Sequence, residues 1–148
     1  MSRVPDPYKL HRFADAQAPV YEQVIRELHD GSKRTHWMWF VFPQLRGLGR
    51  TPTAEYFGIM SLGEARAYLA HPVLGSRLRE CAELLRDYPG DEPITTILGS
   101  VDALKLRSSM TLFAQAGGDD DRALFQAVLD RYYDGLSDER TSAMLNAE

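Results

Sequence analysis

The sequence holds one cysteine, Cys81, in 148 residues, so no disulfide can form within the chain. That scarcity gives no sign of an oxidising compartment. Long apolar runs are also missing. Nothing approaches the roughly 20 residues that a membrane helix requires, which argues against a bilayer span. The opening MSRVPDPYKLHRF has no apolar h-region, so it does not read as a secretory signal, and a cytoplasmic location is the expectation. The four histidines, at 11, 29, 36 and 71, show neither H-x-x-x-H nor H-E-x-x-H spacing. With one cysteine besides, no metal site and no cofactor is expected. There is no G-x-x-x-x-G-K-[ST] loop, and G47-L-G49 follows no strand of the kind a dinucleotide fold needs. β-branched aliphatics are few: 7 Val and 4 Ile stand against 18 Leu and 15 Ala. That excess of helix formers predicts an all-α protein. The length suits one domain, so residues 1–148 read as a single compact unit of about seven or eight short helices.

What is present is unevenly spread. The net charge of −4 joins a strongly acidic stretch, 119–148, to a segment, 31–54, that carries Lys33, Arg34, Arg46 and Arg50 and no acid. That basic segment also contains Trp37, Trp39, Phe40 and Phe42. Cations beside aromatic faces can hold a flat, negatively charged ligand. The acidic whole and the shortness of the basic run argue against an extended nucleic-acid surface.

Apolar spacing predicts the helices. Asp6-Pro7 reads as a helix start, with Leu10, Phe13 and Ala14 inward. Tyr21, Val24, Ile25 and Leu28 mark a second buried face, stopped by Gly31. HWMWFVF at 36–42 reads as a short buried helix, and 43–53 as a loop rich in Gly and Pro. Ser61 and Glu64 fit a capping box. Leu74, Leu78, Cys81 and Leu85 place the cysteine in the core as an inert thiol. A short helix is expected over 93–98, a long one from about Val101 to Ala116 with Ser100 as its cap, and another around Leu124–Tyr132. Residues 117–121, GGDDD, read as a flexible acidic loop. Residues 137–148 read as a short last helix, capped by Asp138 and prone to fray.

Two polar clusters stand out. The first is Lys33, His36, Trp37, Trp39 and Gln44. A lysine near His36 would favour a neutral imidazole, suited to proton transfer or to a hydrogen bond with a ligand. The second is K105-L-R-S-S-M-T111, where one helical face carries Lys105, Ser108 and Ser109. Lysine and hydroxyls together can hold phosphate or carboxylate oxygens. Catalytic roles would fall to His36, Lys105 and Ser109. Ligand contacts would fall to Lys33, Trp37, Trp39, Gln44, Arg107, Ser108 and Thr111.

The stretches 6–28, 33–50, 58–81 and 104–113, above all HWMWFVFPQ and KLRSSMTLF, resemble the DUF1810 family. Those are small, mostly bacterial proteins without an assigned function. The resemblance implies a single all-α domain and marks the two clusters as signature stretches. Size and class are also similar to small all-α proteins that act on ADP-ribose conjugates, although no motif matches them. The expectation is a pocket between helices for a small anionic, nucleotide-like or ADP-ribose-like molecule, serving a hydrolase or transferase. The alternative is a non-catalytic helical interaction module. The chain is expected to be a monomer or weak dimer.

Overall fold

The computed structural model of the chain describes residues 5–148. Residues 1–4, part of the stretch read as carrying no signal, lie outside the described residues. Ten helices follow in order: α1 His11–Gln17, α2 Tyr21–Asp30, α3 Met38–Val41, α4 Pro52–Tyr56, α5 Leu62–Ala70, α6 Leu74–Arg86, α7 Ile94–Leu98, α8 Ser100–Ala116, α9 Asp119–Tyr133 and α10 Glu139–Asn146. Among the described residues there is no strand, only an isolated parallel bridge between Leu45 and Ile59. The fold is all-α, and it forms one unit around α8. That helix packs against α5, α7, α9 and α10, while α6 bridges α2, α5 and α9. No helix among the described residues is long and apolar enough to cross a membrane.

The core is tied by an aromatic column through four helices. The Phe13 ring meets Tyr68 edge-on at 5.2 Å, Tyr68 meets Phe113 at 5.2 Å, and Phe113 meets Phe125 at 6.0 Å. All four are fully buried, each worth about 2–3 kcal/mol of apolar transfer. HWMWFVF does form a short helix, α3, with Trp37, Met38, Val41 and Phe42 in this core. Cys81 is buried too, and burial pushes its thiol up to about 12.

Several boundaries differ from expectation, each for a local reason. The first helix begins at His11 rather than at Pro7. Asp6 does cap it, but across a turn, accepting from the backbone N–H of Leu10 (2.7 Å) and of His11 (3.0 Å). Lys9 completes that turn at φ +54°. The expected loop 43–53 runs into α4, where Thr51 Oγ1 accepts from Ala54 N–H and Pro52 supplies the first position. The long helix α8 starts one residue early, so Gly99 at φ +88° holds the cap position instead of Ser100. The acidic loop expected at 117–121 shrinks to Gly117-Gly118. Asp119, Asp120 and Asp121 form the first turn of α9, where three carboxylates complement the positive end of the helix. The last helix, by contrast, is capped where expected: Asp138 Oδ2 accepts from Thr141 N–H and Oγ1–H, and Leu145 is buried.

Candidate functional site

The basic aromatic segment is organised by an acid from another element. Glu27, fully buried on α2, accepts hydrogen bonds from Arg34 N–H (2.8 Å), Thr35 N–H (3.1 Å), the Thr35 hydroxyl (2.7 Å), Trp37 Nε1–H (2.9 Å) and Gln23 (2.8 Å). Burial alone would raise its pKa. The donors, led by the Thr35 hydroxyl, outweigh that and bring it down to about 2. Trp37 is therefore a core residue with its one donor spent, not a stacking surface for a ligand. Lys33 is spent as well. Its ammonium donates to the Thr35 carbonyl (2.6 Å), pairs with Asp102 (2.8 Å) and lies over the Trp37 ring at 5.0 Å. His36, in the loop before α3, is exposed and has no side-chain hydrogen bond among the described residues.

The second cluster divides between two sides of α8. Lys105 faces the first cluster: it lies 3.5 Å from Asp102 and 4.7 Å from the Trp39 ring centroid. Asp102 thus joins the two signature stretches, with Lys33 on one carboxylate oxygen and Lys105 on the other. The others turn away. Arg107 donates to the carbonyls of Leu136 (2.9 Å) and Ser137 (2.8 Å), fixing the turn between α9 and α10. Ser108 donates back to Leu104 C=O, and Thr111 donates to Arg107 C=O while accepting from Asp138 N–H (2.8 Å). Ser109 is fully buried and its hydroxyl has no partner among the described residues.

The structure therefore brings Lys33, Trp37, Trp39, Gln44 and Lys105 to one seam. It separates them from Arg107, Ser108 and Thr111. The three residues expected to be catalytic are not brought together by hydrogen bonds: His36 is exposed, Lys105 is paired with Asp102, and Ser109 is buried. The seam itself holds little space. The cleft between Trp39, Gln44, Phe57 and Lys105 has room for about one water molecule.

An open groove lies elsewhere, between the turn before α1 and the segment linking α4 to α5. Its volume is about 330 Å³, and it is lined by Tyr8, Lys9, Arg46, Tyr56 and Met60 over a floor of Arg12 and Glu64. Arg12 is buried, and its five N–H groups find five acceptors: the carbonyls of Tyr8, Lys9, Tyr56 and Gly58, and the Glu64 carboxylate at 2.7 Å. Glu64 also accepts from Met60 N–H at 3.0 Å. One buried ion pair thus holds both walls. Arg46 is seated by the bridge to Ile59 and by Gly58, where a Cβ would come 2.7 Å from the Arg46 Cα. Its Nε–H donates to Glu55 C=O (3.0 Å), which aims the guanidinium and leaves both Nη groups unpaired among the described residues. Lys9 has no acidic partner among them either. Tyr56 stands more than half exposed against the edge of Phe57, at 4.8 Å.

The family described as "Protein of unknown function (DUF1810)" matches residues 7–145. The chain belongs to the DUF1810 family. The DUF1810 chain is also similar to a solved structure, that of the conserved hypothetical protein Rv1873 from Mycobacterium tuberculosis. The two share 55% identity over 95% of this chain and 99% of that one, with a TM-score of 0.91. No protein of curated function matches this DUF1810 chain.

The groove of this DUF1810 protein was missed in the sequence except for Arg46, noted as part of the basic run. One signal pointed to it. A capping-box Glu64 is a carboxylate at the first turn of a helix with a buried face, where burial favours a cation as partner. Arg12, between the inward-facing Leu10 and Phe13, is that cation. Tyr8, Lys9 and Tyr56 left no trace, because a turn and the end of a five-residue helix are too short to show a period.

Proposed function

We propose that this protein binds a small anionic molecule bearing a flat ring, of the nucleotide class, in the groove of Tyr8, Lys9, Arg46 and Tyr56. The observation that carries the reading is the pairing of two cations without carboxylate partners and two accessible phenol rings over one open groove, in a chain of net charge −4. The floor adds no net charge, since Glu64 is neutralised by Arg12. A guanidinium held at Nε presents its two Nη groups as a fork to a phosphate or carboxylate. Tyr56, propped by Phe57, offers a ring face for stacking. The volume of about 330 Å³ is at the lower end of small-ligand sites.

The test is a thermal-shift and calorimetric panel of nucleoside mono- and diphosphates, ADP-ribose and inorganic phosphate. A ligand at 100 times its Kd adds about 2.7 kcal/mol to stability, which is a shift of several degrees at this size. Arg46→Ala and Lys9→Ala should each weaken binding about tenfold. Arg66→Ala, at an exposed cation away from the groove, should leave it unchanged. Flat curves across the panel, or hits unmoved by Arg46→Ala, overturn the reading in favour of a non-catalytic interaction module.

A further inference from the structure

A second groove, of about 400 Å³, opens where α8, α9 and the turn before α10 meet. Its apolar base is Ala114 and Leu129, and its rim carries Gln115, Gln126, Arg122 and Ser137. No acid is in the lining, although this is the most acidic third of the chain. Arg122 is a cation left over. Its neighbour Asp121 is held by Arg79 through two hydrogen bonds, of 2.7 and 3.0 Å. Arg122 itself makes one long contact, Nε–H to Ala114 C=O at 3.4 Å, and has no ion pair among the described residues.

The two amides are half used in the same way. Gln115 donates through Nε2 to Ser142 Oγ (3.2 Å), and Gln126 donates through Nε2 to Asp130 Oδ1 (3.0 Å) and Gly135 C=O (3.2 Å). Asp130 and the Gly135 carbonyl only accept, which fixes the way the Gln126 amide faces, while Gln115 has its Nε2 towards the Ser142 hydroxyl. Both Oε1 atoms are left as acceptors with no protein donor among the described residues. The Ser137 hydroxyl is likewise unclaimed. The wall behind them is inert, since Thr111 Oγ1 already donates to Arg107 C=O and accepts from Asp138 N–H.

A complementary molecule has to supply hydrogen-bond donors to two amide oxygens, an anion to a guanidinium, and a C–H face to Ala114 and Leu129. From this set we infer that the groove is a separate binding site for a polyhydroxylated anion, a sugar phosphate or a sugar acid. Hydroxyls donate to Gln115 and Gln126, and the charged end meets the free Nη groups of Arg122. The site shares no residue with the groove of Arg46 and does not depend on it.

The experiment is calorimetry on the full chain with four probes: glucose 6-phosphate, glucuronate, glucose and inorganic phosphate. At least one of the first two should bind, and which one binds tells phosphate from carboxylate. Glucose and inorganic phosphate alone should bind at least about tenfold more weakly, since each satisfies half of the site. Arg122→Ala should weaken the bound probe about tenfold or more. Gln126→Glu keeps the shape but sets a carboxylate beside the anion, and should abolish binding. Arg46→Ala should leave the affinity unchanged, which separates this site from the first groove. The inference fails if neither glucose 6-phosphate nor glucuronate binds, if inorganic phosphate binds as tightly as they do, or if Arg122→Ala binds like the parent. Arg122 is exposed and outside the core, so its variant is expected to melt with the parent and to decide the matter if Gln126→Glu does not fold.

Discussion

Single residues in this protein do their work by being fully committed. Glu27 is the strongest case, because five donors converge on one buried carboxylate. Its pKa lies at about 2 when folded, against an ordinary value of 4.5. A carboxylate depressed by folding adds stability at pH above its unfolded value, and that stability is lost as the pH falls from about 4.5 towards 2. The linkage is worth about 3 kcal/mol. Urea denaturation of the parent should therefore show a steep loss across that window. Glu27→Gln should be less stable at pH 7 and should flatten the loss between pH 4.5 and 2. An unchanged slope would mean that the ladder of donors does not hold in solution. Cys81 gives a second expectation at the same scale. With its thiol pushed up to about 12 and sealed in the core, it should react with a disulfide reagent only when the chain opens. Labelling should therefore accelerate with urea in step with unfolding. Rapid labelling of the native protein would contradict its burial.

Between elements, the decisive object is the Arg12–Glu64 pair, which ties the turn before α1, the end of α4 and the start of α5. Removing one partner of a buried ion pair strands the other charge, at a cost of about 3–5 kcal/mol. Arg12→Met and Glu64→Leu should each lose that much by urea titration. The double variant should lose less than their sum, because no unpaired charge remains. It should nevertheless lose the binding proposed for the groove, since four backbone carbonyls would be released from their common donor. Additive losses would show that the pair acts as two independent contacts. The elements themselves differ in how far the sequence announced them. Those with a whole apolar face, such as α2 and α6, follow from periodicity, and the capped helix α5 follows from Ser61. Helix α4 was hidden in a stretch that Gly and Pro marked as loop. Only its cap residue Thr51 and the N1 Pro52 distinguish it, and the same signs occur in turns. Residues 119–121 misled for a related reason, because consecutive aspartates suit both an open loop and the positive end of a helix.

At the scale of the whole molecule, sequence charge and surface charge are different things, and this is where the site was least legible. The two signature stretches do meet, as their shared polarity suggested, but they meet by consuming each other. Asp102, in the first turn of α8, takes Lys33 and Lys105 together. Spacing identifies Asp102 only as the i,i+3 neighbour of Lys105; that it also takes Lys33, about 70 residues earlier, is decided by tertiary packing. The hydroxyl run of α8 is buried: Ser108, Ser109 and Thr111 sit where α8 packs against its neighbours, and the Ser108 and Thr111 hydroxyls donate back to carbonyls of their own helix. The same accounting fixes the behaviour of segment 31–54 towards nucleic acid. Of its four cations, Lys33 is paired inside, Arg34 lies 3.7 Å from Asp30, and Arg46 is aimed into its groove. Arg46 and Arg50 are thus the two exposed charges of the segment without an ion pair among the described residues. A protein that neutralises Z phosphates of duplex DNA shows a slope of about −0.9Z in log K against log salt. With two unpaired cations, Arg46 and Arg50, segment 31–54 should by itself give a slope no steeper than about −2. Fluorescence anisotropy of a labelled duplex, titrated at several salt concentrations, measures it directly. A slope steeper than about −4 would require four or more phosphate contacts, more than the unpaired cations of this segment supply, and would show that it is not the limit on nucleic-acid binding.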